Sequence, residues 1–285
     1  MQLLESYNEY KDMVREIREK CRRPFSNVYF MQADMERYIR LGRASYERTE
    51  SGIILFFDEE RYYRVCICLD EKEPFSIEKQ DKKILIKNVF LKGKKREAMQ
   101  RVEQRLEELG FENEGTSVKV KGEVEKIFKR CERMGRYADA LDKKGYRFLI
   151  ADASMIEEIE AIILNSDVIK DYQLNYWTDE EKKEMAKKGC YSYIVDGDNH
   201  ICGGGYFLIQ GDTTIGVAGA IKEEYKRHGL APVSAYHKLK WLHENGFKRG
   251  QGWILLSNKP SIKYHESLDY EFTDEYADEW ILRER

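Results

Sequence analysis

The sequence predicts a two-domain protein of the α/β class (an α+β mixed sheet), in which helices pack against the sheet. Two observations lead to this prediction. Apolar runs of strand length alternate with longer segments of helical periodicity along the 285 residues. That length is sufficient for two domains of ordinary size. We place the boundary so that an N-terminal α+β domain covers residues 1–144 and a second domain covers residues 145–285.

The composition indicates a globular protein with a heavily charged surface. Charged residues make up 35% of the chain and hydrophobic residues 42%, and the formal net charge is -3. This charge gives no general attraction to nucleic acid or to anionic membranes. No apolar run reaches membrane-spanning length, and the charged N-terminus lacks the apolar core of a signal peptide. We therefore expect a cytoplasmic protein that binds neither membranes nor nucleic acid.

The cysteines and histidines predict neither disulfides nor a metal site. None of the six cysteines forms a C-x-x-C pair, and free thiols are expected in a reducing cytosol. All five histidines follow residue 199, and none has the helix-face spacing of a zinc site.

The first domain contains several segments of helical periodicity and several strand-like apolar runs. The predicted helices cover residues 2–22, Met31–Leu41, Lys95–Leu109 and 122–143. The predicted strands cover Ile53–Phe57, Tyr62–Leu69 and Ile84–Leu91.

One short pattern occurs in both domains. Residues 106–111 read LEELGF and residues 242–247 read LHENGF, and each stretch ends a predicted helix. A helix followed by glycine and an apolar residue is also a common helix stop. We interpret the pattern as a sign of two related halves. The first half is then a degenerate copy without a cofactor site, because only Lys92–Lys94 joins its strand to its helix.

The second domain has a well-defined order of predicted elements. Ser154 with Glu157, and Thr178 with Glu181, have the spacing of capping boxes at two helix starts. The predicted helices cover Met155–Asn165, Asp179–Lys188, a long segment after Ala231, and Ser261–Leu268. The predicted strands cover Tyr146–Ala151, Cys190–Val195, Ile201–Ile209, Thr213–Ile221, Gly252–Ser257, Tyr270–Thr273 and Glu279–Leu282.

Residues 213–242 combine a strand, a glycine-containing loop and the long helix. This arrangement binds phosphate, because the N–H groups of the loop and the positive end of the helix dipole converge on an anion. Lys226, Arg227 and His228 add positive charge to the loop. Gly229 has no side chain that would block the close approach of a phosphate.

The loop resembles the pyrophosphate loop of the GNAT acetyltransferases, written [Q/R]-x-x-G-x-[G/A]. Here it reads KRHGLA, with lysine in the first position. The predicted order β-α-α-β-β-β-α-β-α-β-β also resembles the GNAT fold. In that family, the strand before the loop separates from the next strand and pairs with the pantetheine arm of acyl-CoA. The resemblance therefore implies that acetyl-CoA is bound by Val217, Gly219, Ile221, Lys226, Arg227, His228, Gly229, Leu230, Ala231 and Asn258.

A second resemblance follows the predicted strand at 252–257. GNAT proteins often show N-x-x-A-x-x-x-Y-x-x-x-G-F there. This chain has Asn258, and it has Ser261 in place of the alanine and Asp-Tyr in place of Gly-Phe. His265 stands at the tyrosine position, with Tyr264 one residue earlier.

The predicted reaction requires an amine that attacks the thioester carbonyl, and a CoA thiolate that leaves. A thiol has a pKa of about 8.5, so an acid next to the leaving group gives modest help. The family assigns that acid to the tyrosine of the second motif, and here Tyr264 and His265 are both candidates. Glu223 and Glu224 follow the central strand, where the family places a base that acts through water. A solvated turn is the other interpretation of these two residues.

We predict an N-acetyltransferase that moves an acetyl or acyl group to a small-molecule or peptide amine, by direct attack in a ternary complex. Two alternatives stay open. Tandem GNAT-like halves also occur in the Fem aminoacyl transferases, which use charged tRNA, although a net charge of -3 gives no sign of a tRNA surface. The departures from both motifs also fit a non-catalytic protein that binds acyl-CoA or a partner protein.

Overall fold

The structure, a computed structural model, describes residues 1–21, 23–29, 31–166 and 170–283. Its internal contacts divide the chain into two compact units. The first unit comprises Met1–Ser117 with Asp274–Arg285, and the second comprises Val118–Thr273. The division of the sequence into domains at residues 144 and 145 stays a prediction. No helix among the described residues is both long enough and apolar enough to cross a membrane.

Local signals place the elements of the first part of the chain. Ser6 begins the first helix, because its Oγ accepts a hydrogen bond from the Glu9 N–H at 3.1 Å. The helices are α1 (Tyr7–Lys20), α2 (Gln32–Arg40) and α3 (Glu97–Glu108). The strands are β1 (Gln2–Leu3), β2 (Phe25–Ser26), β3 (Ala44–Arg48), β4 (Gly52–Asp58), β5 (Tyr62–Leu69), β6 (Lys83–Leu91) and β7 (Glu112–Glu123). The three predicted strands are confirmed, and the first three predicted helices are confirmed with shorter ends.

The second part of the chain has the predicted alternation of helices and strands. The helices are α4 (Val124–Cys131), α5 (Gly135–Asp142), α6 (Ile156–Leu164), α7 (Asp179–Lys187), α8 (Leu230–Glu244) and α9 (Lys259–Ser267). The strands are β8 (Arg147–Ile150), β9 (Tyr191–Val195), β10 (Ile201–Gln210), β11 (Thr213–Ile221), β12 (Arg249–Leu255) and β13 (Glu271–Leu282). The order of elements from β8 to β12 is the order that the sequence predicted.

The two predicted helix caps have different outcomes. The capping box at Thr178 is confirmed, because its Oγ1 accepts from the Glu181 N–H at 3.2 Å while Glu181 Oε2 accepts from the Thr178 N–H at 2.9 Å. The cap at Ser154 is wrong. Asp152 Oδ1 accepts from the Ser154 N–H at 2.8 Å instead, and a 3-10 turn over Ala153–Met155 precedes α6.

Two predicted segments are divided differently in the structure. The segment predicted as a helix over 122–143 is confirmed as helical from Val124, and a 3-10 turn at Glu132–Met134 separates α4 from α5. The strands predicted at the C-terminus form the single strand β13. Its interior carries the charged residues Asp278 and Glu279, which are buried and paired with lysines. Charge in the middle of a strand conceals the apolar pattern that would have revealed it.

The helix-glycine-phenylalanine pattern ends two helices, α3 and α8, that have different places in their units. Helix α3 follows β6, the second of two neighbouring parallel strands, whereas α8 lies between the parallel strands β11 and β12. The pattern therefore marks two helix ends, at which Gly110 (φ 87°) and Gly246 (φ 78°) adopt the left-handed conformation. The six-residue match therefore does not align the two units. The related halves that it was taken to indicate have other support, because each unit contains a pair of neighbouring parallel strands, β5 with β6 and β11 with β12.

The sheet of the first unit has the order β1-β3-β4-β5-β6-β13-β7. Strands β5 and β6 run parallel, and β1–β3, β3–β4, β4–β5 and β6–β13 pair antiparallel. Apolar residues of β4 and β5 are buried on both faces, because successive side chains point to opposite sides of a strand. One face packs with Val102 and Leu106 of α3, and the other packs with Met13 of α1 and Met35 of α2.

The sheet of the second unit has the order β7-β12-β11-β10-β9-β8. Only β11 and β12 pair in parallel among the strand pairs whose register the structure describes there. Ile159 and Ile163 of α6 pack on one face of this sheet. Leu239 and Leu242 of α8 pack on the other face, with Ile127 of α4. These two layers of helices fix the C-terminal end of β11, where the candidate site lies.

Candidate active site

The central feature of the second unit is a gap between two parallel strands. Strand β11 pairs with β12 from Thr213 to Ile215, and the pairing ends there although both strands continue. On its other side β11 stays paired with β10 as far as Ile221. Gly216 and Gly219 are consequently exposed, although β11 is an interior strand of the sheet. The edge of β11 beyond Ile215 is thus open to a ligand that pairs like a strand.

The direction of the backbone groups along this edge can be assigned. The Lys222 N–H donates to the carbonyl oxygen of Cys202, near the start of β10, at 2.8 Å. Because amides alternate in direction along a strand, Gly219 and Ile221 direct their N–H and C=O groups away from β10 and toward the gap. A register shift on the β10 side leaves Val217 as the additional residue of a bulge. The structure thus brings Gly219 and Ile221 to the open edge, with Val217 beside them.

The glycine run in β10 is required by close backbone contact. A Cβ at Gly203 would lie 2.6 Å from the Ala220 carbonyl oxygen, and one at Gly205 would lie 2.7 Å from the Ala218 carbonyl oxygen. No side chain larger than hydrogen fits at these two positions without movement of β11. The glycine run therefore allows the backbones of β10 and β11 to lie in close contact, on the side of β11 that is opposite the gap.

The loop after β11 presents its amides at the start of α8. A 3-10 turn over Glu223–Tyr225 leads into residues 226–229. Gly229 precedes the helix in the left-handed conformation (φ 79°, ψ 9°), and a Cβ at this position would meet no atom within 4 Å. Among the described residues, no side chain caps the first turn of α8, and no acidic residue lies in that turn. The positive end of the helix dipole is therefore open to an anion. Leu230 and Ala231 form the first turn, and Pro232 after them has no N–H to donate.

The charged residues of the loop contact one another. Lys226 Nζ forms an ion pair with Glu223 Oε2. Arg227 is exposed and has a positive φ of 68°. Tyr146 Oη lies 3.3 Å from His228 Nδ1. The predicted phosphate-binding lysine and the predicted base are therefore partners of each other, and both lie on the surface side of the loop.

Tyr225 anchors the loop to the hairpin between β9 and β10, a contact that the sequence analysis did not foresee. Its Oη donates to Asp196 Oδ2 at 2.7 Å. The Tyr225 hydrogen bond is the main reason that the pKa of Asp196 is lowered. Asp196, Asp198 and His200 also bring one possible metal ligand each to within 4.8 Å of one another. Asp196 Oδ1 accepts the turn amides of Asp198 and His200, at 3.0 and 2.9 Å. The absence of a metal stays a prediction.

The second motif forms the start of α9. Asn258 Oδ1 accepts a hydrogen bond from the Ser261 N–H at 3.1 Å, so this side chain is the N-cap of the helix. Pro260 lies in the first turn, where its missing N–H has no cost. The capping of α9 is therefore a structural role that explains why Asn258 occurs at this position.

Tyr264 and His265 have different environments on α9. Tyr264 packs against an apolar cluster that includes Leu239 and Leu268. Burial raises its pKa well above the ordinary value of a tyrosine. Burial also lowers the pKa of His265. His265 Nδ1 lies 2.8 Å from the Ser261 carbonyl oxygen. A carbonyl only accepts, so Nδ1 carries the proton and Nε2 of the neutral ring does not.

An open cavity of about 370 Å³ lies beside the end of β11, on the side of α6. It is lined by Glu158, Ala161, Ile162, Asn165, Ser166, Ile221, Lys222, Glu223, Glu224 and Lys226. Lys222 Nζ lies 3.7 Å from Glu158 Oε1 across its wall. The aromatic residues Tyr172, Tyr176 and Trp177, which precede α7, are not among those that line it. The polar residues of α6 have the pattern of the solvent-exposed face of an amphipathic helix, so the contribution of α6 to the cavity could not be predicted from the sequence.

No known protein family and no curated protein sequence matches this chain. Solved structures do match. A tandem GNAT protein from the clavulanic acid biosynthesis pathway is 10% identical, with a TM-score of 0.54 over 99% of this chain and 97% of that chain. A Drosophila protein is 11% identical, with a TM-score of 0.54 over 98% and 97%.

A third solved structure extends the same likeness. A GCN5-related N-acetyltransferase from Sphaerobacter thermophilus is 8% identical, with a TM-score of 0.52 over 87% of this chain and 85% of that chain. At these identities the likeness concerns the fold. The separated parallel strands and the order of elements in the second unit agree with it. The chain therefore has the fold of the GCN5-related N-acetyltransferases, and it is similar over nearly its whole length to a tandem member of that group.

Proposed function

We propose that this protein is an N-acetyltransferase, and that acetyl-CoA or another acyl-CoA binds in the second unit. The observation that carries the proposal is the open edge of β11 next to the uncapped start of α8. A pantetheine arm contains two amides and can pair with Gly219 and Ile221 as a strand would. The pyrophosphate would then lie at residues 226–231, where N–H groups and positive charge meet.

The charges of the loop fit a ligand that carries several negative charges. Arg227 and His228 are exposed at the helix start. Lys226 can exchange its ion pair with Glu223 for a phosphate, because both groups are near the surface and water screens their attraction. Gly229 provides the open space that the backbone needs for close approach. Asn258, as a helix cap, would support the site from the end of β12.

Proton transfer is assigned from the protonation states of α9. Tyr264 keeps its hydroxyl proton at neutral pH, because burial raises its pKa. His265 is neutral, with its proton on Nδ1 and a lone pair on Nε2. We therefore assign proton donation to the departing thiolate to Tyr264, because Nε2 of the neutral His265 ring carries no proton to give. Glu223 acts, in this proposal, as a base through water for the incoming amine.

The acceptor amine is proposed to enter through the cavity between α6 and the end of β11. Glu158, Glu223 and Glu224 face this cavity together with Lys222 and Lys226. Carboxylates at its mouth suit an acceptor that arrives as an ammonium ion and loses its proton before attack. A small-molecule amine or the amine of a peptide would both meet this condition.

The test is a turnover assay that follows release of the CoA thiol from acetyl-CoA, with a panel of primary amines. We expect acceptor-dependent thiol release, with kcat lower in Tyr264→Phe by about 10²-fold or more and KM for acetyl-CoA little changed. His265→Gln is the companion variant, and its kcat should fall less than that of Tyr264→Phe. Tyr264→Phe activity equal to that of the unmodified chain would exclude Tyr264 as the proton donor. Binding without turnover of any amine would favour a non-catalytic acyl-CoA-binding protein.

The aminoacyl-transferase alternative is tested in the same way. Such an enzyme would transfer an amino acid from charged tRNA, and its activity would not require acetyl-CoA. A net charge of -3 offers little attraction to tRNA. Transfer from charged tRNA in the absence of acetyl-CoA would replace the present proposal.

A further inference from the structure

The first unit contains a strand gap of the same kind, and its own chain fills that gap. Strand β5 pairs in parallel with β6 from Tyr62 to Val65, and this pairing stops while both strands continue. On its other side β5 stays paired with β4 as far as Leu69. This is the arrangement of β11 and β12 in the second unit. Beyond Val65, however, the edge of β5 is occupied.

The occupant is the short segment of residues 25–28, which we call the plug strand. Phe25 pairs antiparallel with Leu69, and Ser26 pairs with Cys68. The Asn27 N–H then donates to the Ile67 carbonyl at 3.2 Å. The plug strand thus satisfies the β5 backbone over the stretch that lies open in the second unit. Phe25 is buried in the core below the gap.

The Asn27 side chain contacts both of the strands that border the gap. Its Oδ1 accepts a hydrogen bond from the Ile67 N–H of β5 at 2.7 Å. Its Nδ2 lies 3.3 Å from the Lys87 carbonyl oxygen and 3.1 Å from Asn88 Oδ1, both on β6. The residue is only 7% exposed. One amide side chain therefore joins the two separated strands and meets all of its own hydrogen-bonding needs.

The polar groups behind Asn27 are also partnered. Asn88 Nδ2 donates to Glu103 Oε1 at 3.3 Å. Glu103 pairs with Lys95, and Lys95 Nζ lies 2.7 Å from Asp278 Oδ2. A buried polar group that loses its partner carries a large desolvation penalty. Removal of the plug strand would expose or orphan the Asn27 end of this network, so the network favours the closed gap.

We propose that the plug strand acts as a built-in substitute for the pantetheine arm and permanently closes the first unit to acyl-CoA. A ligand that entered this gap would have to replace every hydrogen bond of Asn27. The chain would then hold one acyl-CoA, in the second unit. That stoichiometry rests on the proposed function, whereas the closure of the gap does not.

The test combines an engineered disulfide, which fixes the plug strand to β5, with amide hydrogen exchange, and both use the full chain. Ser26 lies directly opposite Cys68 in the antiparallel strand pair, so Ser26→Cys can form a disulfide with Cys68. Cys21 is replaced by serine in the same chain to prevent a competing bond, and Ser26→Ala is the matched control. Acetyl-CoA binding is counted by titration for the oxidised and the reduced forms. Exchange of the Ile67 amide is followed with and without acetyl-CoA.

We expect one acetyl-CoA per chain in both forms, and slow exchange at Ile67 that acetyl-CoA does not change. Asn27→Ala should accelerate that exchange at least tenfold, while Asn113→Ala, at an exposed position of β7, should not. Loss of one binding site upon oxidation, or rapid exchange at Ile67 in the unmodified chain, would overturn the inference. If neither form binds acetyl-CoA, the proposed function fails and the Ile67 exchange rate alone decides whether the gap is closed.

Discussion

Two glycines at opposite ends of α8 allow a controlled test of the phosphate loop. Gly229 precedes the helix with φ 79°, and Gly246 follows it with φ 78°. A Cβ would meet no atom within 4 Å at either position. Substitution by alanine therefore imposes the same backbone strain and the same absence of a clash at both sites. Only Gly229 lies where we propose that the pyrophosphate binds.

The expected magnitudes follow from this geometry. A non-glycine residue in the left-handed conformation costs about 1–2 kcal/mol. For a chain of this size, that change lowers the melting temperature by roughly 2–8 °C in both variants. Gly229→Ala would in addition place a methyl group against the phosphate and weaken a charge-assisted hydrogen bond, which is worth about 1.5–3 kcal/mol. We expect its affinity for acetyl-CoA to fall about 10- to 100-fold, because each 1.4 kcal/mol is about a factor of ten.

The assay is calorimetric titration of acetyl-CoA into the unmodified chain, Gly229→Ala and Gly246→Ala, with melting curves recorded in parallel. We expect similar losses of stability in the two variants and a loss of affinity in Gly229→Ala alone. Equal affinity in all three proteins would refute the assignment of the loop. A similar loss of affinity in both variants would show that helix stability, and not phosphate contact, controls binding.

Three further outcomes are expected from the same structure. Burial lowers the pKa of His237 and His265 in the folded chain. The unfolded chain therefore binds more protons, and the stability of the fold should fall as pH drops below about 6.5. In His237→Phe, the melting temperature should fall less between pH 7 and pH 5 than it does in the unmodified chain. Asn258→Ala should lower stability by about 1 kcal/mol through loss of the α9 cap, and Asn258→Ser should restore it; if Asn258→Ser also loses acetyl-CoA affinity, the side chain binds the cofactor directly. Thr178→Ala should lower the free energy of unfolding by about 1 kcal/mol, measured by thermal unfolding. An unchanged free energy would mean that α7 frays before the rest of the second unit unfolds.

The sequence predicted most elements of the second unit because their local signals agree. The Thr178 capping box, the strand lengths and the glycine before α8 each point to the element that forms there. The C-terminal segment, which was predicted less well, carries charge in an unusual place. Asp278 and Glu279 are buried in β13, where Lys95, just before α3, and Lys87 of β6 neutralise them. Such long-range pairing leaves no periodic signal in the local sequence.

The candidate site could also be predicted only in part, because some of its contacts join residues that are far apart in the sequence. The loop at 226–231 could be found by its residue types and its place between a strand and a helix. The ion pair of Lys226 with Glu223, the anchor from Tyr225 to Asp196 and the proton on His265 Nδ1 depend on distances that the sequence does not contain. The plug strand was also missed, because Phe25 and Ser26 are too few to form a strand signal.

The most direct test of the central claim is calorimetric titration of acetyl-CoA into the intact, unmodified chain. The account predicts saturable binding of one acetyl-CoA per chain, weakened by salt because phosphate contacts contribute to it. Failure of acetyl-CoA to bind at millimolar concentration would contradict the claim that the gap of the second unit is an acyl-CoA site.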